Sequence, residues 1–397
     1  DAHLALSRRR YRATEIVALY ARLSAAEQDR VFKPGSARRI VLATNVAETS
    51  LTVPRIKYVV DTGSARVKRY SPRNQLERLH VEPISQAAAD QRKGRCGRVG
   101  PGVCVRLYAE DDFAGRPQYT DPEIMRSSLA GVILRMLSLK LGEVEKFPFV
   151  EAPNARAIGD GWRRLAELQA VDERRHLTGI GRAMATWPID VALARMLIEA
   201  QRSGSLRELL ILVSFLSIQD PRERPADARQ AADAAHAPWL DAKSDFVTVL
   251  NLWHAHALAH EELTQSKLRD WCKDRFLSYL RMREWRELHR QLLVIAEESG
   301  WKQNAEGAIF EAIHACLLAG WPTQVGRKDE RGDYRGTRER RFRVFPGSAL
   351  AKAPPQWLLT GQIIDLQKVY GMLCARVEPE WIERAAAHLA KKSWRDP

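Results

Sequence analysis

Apolar residues change their spacing as this 397-residue chain proceeds. The first hundred positions carry short apolar runs. Those at 14–19, 40–43 and 56–61 are the right length for strands, and the last two read as buried parallel strands. Between the first two, Ser24-Ala25-Ala26-Glu27 is a capping box that opens a helix. Segments at 65–70 and 75–83 flank Ser71-Pro72-Arg73-Asn74, a turn-forming tetrad, and predict a β-hairpin over 65–83. Beyond Phe113 the period lengthens. Ile124, Leu129, Val132, Ile133, Met136 and Leu137 predict a helix over 124–139. Residues 154–170 predict another, and 174–178 a short wing. From 191 to 310 helical spacing is continuous. Ala192, Met196, Leu197 and Ala200 form one stripe; Leu209, Leu212, Val213 and Leu216 a second; Phe246, Val249, Leu250 and Trp253 a third. These stripes predict the core of a bundle. Over 320–376 the pattern returns to strands, at 342–345, 357–364 and 369–377, with a basic loop at 327–343.

Two strings stand apart from this patterning. Gln91-Arg92-Lys93-Gly94-Arg95-Cys96-Gly97-Arg98 follows the apolar Ala87-Ala88-Ala89. A helix advances about 100° per residue, so Gln91, Arg95 and Arg98 share one face if the helix continues through them. Two guanidiniums and an amide then point the same way, an arrangement that suits the charge on a transferring phosphoryl group. Gly94 and Gly97 leave that face open to a ligand or a second domain. A basic helix end, favoured by the helix dipole, explains the composition equally well. Some forty residues upstream, Ala43-Thr44-Asn45-Val46-Ala47-Glu48-Thr49-Ser50-Leu51-Thr52 follows a strand. It occupies the carboxyl end, where open α/β sheets bind ligands.

The formal charge is +14, which points to a polyanionic partner, because phosphate neutralisation dominates nucleic-acid affinity. Residues 66–107 hold ten Lys or Arg against three acids, a surplus equal to half that total. No apolar run approaches twenty residues, so a spanning helix is not expected. The five cysteines are odd in number and lack C-x-x-C spacing, which argues for reduced thiols and against structural zinc. His254, His256 and His260 lack the H-E-x-x-H arrangement and read as solvated helical histidines rather than ligands.

In order and spacing, the strings at 43–52 and 91–98 resemble motifs V and VI of the DEAH-box RNA helicases. The resemblance runs through nearly the whole chain, at 72–79, 102–113, 147–153, 216–225 and 377–382, and is strongest to the bacterial branch. It implies a multidomain α/β plus mainly α protein. A partial, N-terminally clipped second RecA-like domain would occupy 1–114, with the hairpin 65–83. A winged helix would follow at 115–190, a ratchet-like helical bundle at 191–310, an OB-fold β-barrel at 311–376 and a C-terminal extension at 377–397. The winged helix would brace the RecA-like domains, and the bundle and barrel would line an RNA channel. By the same resemblance Arg95 and Arg98 are arginine fingers toward ATP. Gln91 orients the attacking water or the γ-phosphate. Ser50 and Thr52 face the nucleotide, and Thr44, Asn45, Arg69 and Arg73 face RNA. No Gly-x-x-x-x-Gly-Lys-Ser/Thr and no Asp-Glu-Ala-His is present. ATP with Mg²⁺ would therefore be held mainly by a first RecA-like domain outside these residues, and the chain alone is expected not to hydrolyse ATP. The implied partners are single-stranded or structured RNA and that first domain, in a cytoplasmic monomer with no membrane contact. One departure is Pro54, where eukaryotic relatives commonly carry an Asp that meets the ribose. A non-catalytic RNA-binding scaffold, or a helicase acting on DNA, stays open from the residues alone.

Overall fold

The computed structural model describes residues 2–9, 11–20, 23, 25–33, 35–49, 52–71, 76–225, 227–365 and 368–389. Ser24 of the capping box and the turn residues Pro72 to Asn74 lie outside them. The chain divides into two compact units. One is built from residues 1–71 and 77–127, the other from 128 onward.

The first unit runs α1 Ala2–Ser7, β1 Thr14–Leu19, α2 Ala25–Phe32, β2 Arg38–Ala43, α3 Val46–Thr49, β3 Tyr58–Asp61, β4 Ser64–Ser71, β5 Leu76–Pro83, α4 Gln86–Lys93, β6 Val103–Arg106, α5 Glu110–Ala114 and α6 Glu123–Arg126. β1 lies parallel to β2, from Thr14 opposite Arg38 to Leu19 opposite Ala43. β3 lies parallel to β6, and β4 pairs with β5 as the hairpin. A small core of Val17, Leu19 and Val31, with Val41, Val46 and Val53 against it, joins the first pair to the loop that follows β2. A second core of Ile84, Ala88 and Ala89, with Ala65 and Phe113, seats α4.

The reading of 40–43 and 56–61 as buried strands is corrected here. β2 is only partly buried, and β3 exposes Tyr58 and Val60 by 73% and 64%. Parallel strands are buried on both faces only when helices cover both. α4 packs against β3, and Asp61 turns inward to Arg92 on that helix. The opposite face presents Tyr58, Val60, Val103 and Val105 to solvent.

The second unit is helical and then barrel-forming. Its helices are α7 Ala130–Ser138, α8 Ala155–Glu167, α9 Gly179–Ala185, α10 Val191–Ser203, α11 Leu206–Leu216, α12 Arg229–His236, α13 Asp245–Glu262, α14 Gln265–Asp274, α15 Tyr279–Glu298, α16 Phe310–Gly320 and α17 Pro379–Ala385. The single helix expected over 124–139 is two. Ser127 is extended, and the Ser128 hydroxyl accepts the N–H of Ala130 at 3.4 Å, so local serine bonding competes with the helix and ends α6. The wing is a tight turn, in which Val171 bridges Leu177 and Arg175 sits at φ +63°. Helix does not run unbroken to 310. It stops at Glu298, and Gly300, at φ +75°, turns the chain out.

The predicted stripes do form the bundle core. Met196, Leu197, Leu209, Leu212, Val213, Phe246 and Val249 are fully buried. Trp285 joins them and donates its indole N–H to the Ile211 carbonyl at 3.0 Å. β7 Val325–Lys328, β8 Tyr334–Gly336, β9 Arg341–Val344, β10 Trp357–Asp365 and β11 Val369–Arg376 close a five-stranded barrel in the order β10-β11-β9-β8-β7. Tyr334, Phe342, Leu350, Leu358, Ile363 and Cys374 fill it. Barrel and bundle are clamped at the start of α13. Asp245 accepts from the Cys374 N–H at 2.8 Å and the Ser348 hydroxyl at 2.9 Å. The mixed α/β and α architecture with its barrel is the one expected from sequence. No described helix is long and apolar enough to cross a membrane.

Candidate active site

α4 carries the basic string. Ser85 caps it, its hydroxyl accepting the N–H of Ala88 at 3.2 Å. The helix ends at Lys93. Arg95 N–H then bonds the Arg92 carbonyl, and Cys96 N–H the Lys93 carbonyl, three residues back instead of four. The helical face drawn through Gln91, Arg95 and Arg98 is therefore corrected. Only Gln91 lies on α4, and the two arginines lie in the turn beyond it. Glycines at 94, 97, 100 and 102, with Pro101, favour that exit over further helix. Gly102 holds its far end, since a Cβ there would sit 2.2 Å from the Cys96 carbonyl oxygen.

The turn still brings the expected groups to one place. Arg98 is exposed and donates to the Thr52 hydroxyl, which ties the end of one string to the end of the other. Arg95 is partly buried beside it. Burial first, and then the charge of Arg98, lower its affinity for its proton, with Glu48 opposing. Two neighbouring cations repel, and a polyanion between them relieves that cost. Gln91 is exposed one turn earlier. Thr44 and Asn45 are exposed at the carboxyl end of β2, where their carbonyls accept the N–H groups of Ala47 and Glu48 and start α3. Ser50 and Arg73 lie outside the described residues.

The sequence reading missed the role of Arg92. Its guanidinium points inward, to Glu48 at 2.9 Å, Asp61 at 2.8 Å and the Ser64 carbonyl at 3.1 Å. Tyr108 donates to the second oxygen of Asp61 at 2.8 Å, and the Gly63 N–H to the first at 3.0 Å. Burial works against the charge on Asp61, yet these donors hold its carboxyl below the usual range. Burial together with the Asp61 hydrogen bond pushes Tyr108 up to about 12. The signal available in sequence was an acid just beyond one strand and another at the end of the next. Nothing local told which cation each would take.

Two groups of arginines have partners inside their own units. Arg69 on the hairpin pairs with Glu82 at 2.6 Å and Asp121 at 2.9 Å, so it braces this unit. In the basic loop of the barrel, Arg338 pairs with Glu167 of α8 at 3.2 Å. Arg340 donates to the carbonyls of Thr337 and Thr323, and Arg343 pairs with Asp333. Arg327, by contrast, lies over the Trp357 ring at 5.9 Å on the barrel wall. Of the three α13 histidines, His254 and His260 are exposed as expected. His256 is buried, because it falls in line with Trp253 on the apolar stripe and meets the edge of Trp271 at 5.9 Å. Among the described residues no three His, Cys, Asp or Glu side chains are grouped to hold a metal.

Comparison with known proteins agrees with this layout. The helicase conserved C-terminal domain matches residues 2–100. The ratchet-like helicase-associated domain HA2 matches 190–276, and the oligonucleotide/oligosaccharide-binding fold 313–389. The ATP-dependent RNA helicase HrpA of Escherichia coli is 50% identical over 403 residues, covering all of this chain and 31% of the relative. Its homologue in Haemophilus influenzae is 48% identical, with the same two shares. The probable ATP-dependent RNA helicase DHX35 of Homo sapiens is 33% identical, covering 95% of this chain and 54% of that one. The chain thus spans about a third of its bacterial relatives and about half of the human one.

Proposed function

The chain belongs to the DEAH-box helicases, and on that premise we propose that it forms one wall of the ATP site of an RNA helicase. The opposite wall, a first RecA-like domain with its P-loop, holds ATP and Mg²⁺. Arg98 and Arg95 reach the γ-phosphate across the cleft and offset the charge that develops during transfer. Gln91 orients the attacking water. Thr52, and Ser50 with it, lines the nucleotide side, and Thr44 with Asn45 holds an RNA phosphate at the other end of the same loop. The bundle and barrel add surface for a single strand. ATP favours a closed cleft, hydrolysis releases it, and the gripped strand advances 3′ to 5′. The protein works as a cytoplasmic monomer.

One observation carries this reading: the exposed Arg98 sits on the Thr52 hydroxyl, so the two motif strings meet at one surface. Strand displacement by the full-length polypeptide, with 3′-tailed and 5′-tailed RNA duplexes, tests it. ATP-dependent unwinding of the 3′-tailed duplex is expected. Absence of ATP turnover, or unwinding of matched DNA alone, would overturn it.

A further inference from the structure

The 91–98 string contains four cations, all in α4 or at its exit. Arg92 turns inward. It bridges Glu48, on α3 inside the 44–52 loop, to Asp61 at the carboxyl end of β3. Glu48 and Thr52 each tie the loop to the string. At the loop's middle, Glu48 holds Arg92, the residue whose carbonyl accepts the N–H of Arg95. At its end, Thr52 holds Arg98. Asp61 is fixed on three sides by Gly63, Tyr108 and Arg92, so the β3 end of this bridge is rigid. The Glu48 end rides on a four-residue helix whose first turn is made by the carbonyls of Thr44 and Asn45.

We infer that Glu48, acting through Arg92, is a positioning residue that links occupancy of the loop near Thr44 to the placement of Arg95 and Arg98. A phosphate bound at Thr44 and Asn45 shifts or steadies α3. Glu48 carries that change to the last turn of α4, and the arginine turn follows, because its first hydrogen bond is made to Arg92 itself. A nucleotide phosphate that draws Arg98 off Thr52 leaves the Arg92–Glu48 pair in place between loop and string. The two sites are then coupled in both directions. Glu48 touches neither ligand. This rests on the proposed ATP-driven reading.

The test is ATP turnover of the full-length polypeptide, with and without a saturating single-stranded oligouridylate, in wild type, Glu48→Gln and Arg98→Ala. Glu48→Gln keeps an acceptor near Arg92, and Arg92 keeps Asp61, so the unit stays folded. Basal turnover and oligonucleotide affinity are expected within about threefold of wild type, while stimulation by RNA falls about tenfold, the size of a typical coupling between sites. Arg92→Lys, which keeps the charge but loses the two-pronged geometry, is expected to fall between. A stimulation factor for Glu48→Gln within about twofold of wild type, or basal and stimulated rates falling in equal proportion, overturns the inference while Arg98→Ala still abolishes turnover. A wild type that RNA does not stimulate removes the reading beneath it, and the inference with it. A readout on residues 1–397 alone is amide exchange across 93–98. The oligonucleotide is expected to slow it in wild type and not in Glu48→Gln, and equal slowing in both sinks the proposal.

Discussion

Two arginine-rich segments, 91–98 in the first unit and 327–343 in the second, look alike in composition and are put to opposite uses. The first turns one guanidinium inward and sends Arg95 and Arg98 into a glycine-bounded turn with Arg98 exposed. The second uses Arg338, Arg340 and Arg343 inside its own unit, on Glu167, on the carbonyls of Thr323 and Thr337, and on Asp333. Charge count therefore does not measure charge on offer. What decides it is whether the fold brings an acceptor to each cation. In the first segment glycines carry the chain out of the helix after Lys93, and Arg98 meets a hydroxyl there, not a carboxylate. In the second, a helix carboxylate and two backbone carbonyls close on the loop. Arg98, exposed at that turn, is placed to answer a ligand that comes and goes.

The largest effect expected from that difference is on catalysis. Arg98→Ala or Arg95→Ala in the full-length protein should lower ATP turnover about 10³-fold, as for arginine fingers elsewhere, with RNA affinity within about threefold. Steady-state turnover and an oligonucleotide titration measure the two. Turnover within tenfold of wild type would place both arginines with the structural set and break the comparison.

Much of this was legible from sequence, and the part that was not has one physical cause. The strands at 14–19 and 357–364, the bundle stripes and the barrel region follow from local periodicity, which one segment carries by itself. The breaks at Ser127 and Lys93 were also written locally, in paired serines and in spaced glycines, but motif and period outweighed them. Arg92, Arg69 and Arg338 were not legible. Each is defined by a partner at a sequence distance no pattern specifies, such as Glu48 for Arg92 or Glu167 for Arg338. The same limit hid the open face of β3 and β6, since apolar residues do not say which face a helix will cover.

The opposite arm of the comparison is a stability experiment. Glu167 is buried and answers both Arg338 and Arg164. Glu167→Gln leaves two cations without their carboxylate, a change that costs about 2–4 kcal/mol where such pairs are buried. Urea unfolding of the second unit should show that loss, while oligonucleotide affinity stays within about threefold. An affinity loss without a stability loss would mean that Arg338 is presented after all.

Acid separates the two units more gently. His256 and His314 are buried, and desolvation holds both down at about 4. His314 Nδ1–H donates to the Phe310 carbonyl, and its Nε2 accepts from Ser244, the cap of α13. A histidine depressed in the fold adds stability above its unfolded pKa, near 6.5, and loses it as pH falls through its folded value. The second unit should therefore weaken between about pH 6.5 and 4, by about 1–2 kcal/mol per histidine at pH 5. Asp245, raised by burial, offsets part of this, because its protonation favours the fold. In the first unit Asp61, held low, keeps its stability until more acid conditions. Denaturant midpoints at pH 7 and 5 check the order. Equal loss in both units would mean that the histidines are not what acid finds first.

The smallest expected effect is the most selective. A Cβ on Gly97 would meet only the Gly94 carbonyl oxygen, at 4.0 Å, and its backbone is not in the left-handed region, so Gly97→Ala fits the folded chain. Stability should change by no more than about 0.5 kcal/mol. Gly102→Ala drives its methyl into the Cys96 backbone and should disturb the turn with no ligand present. If the turn exists to let a phosphate approach between Arg95 and Arg98, Gly97→Ala will raise the KM for ATP about threefold to tenfold in the full-length protein, with the unfolding midpoint unmoved. An unchanged KM would mean that the glycine serves only to end the helix. The turn would then be a stop signal, and the openness ascribed to this segment would belong to the arginines alone.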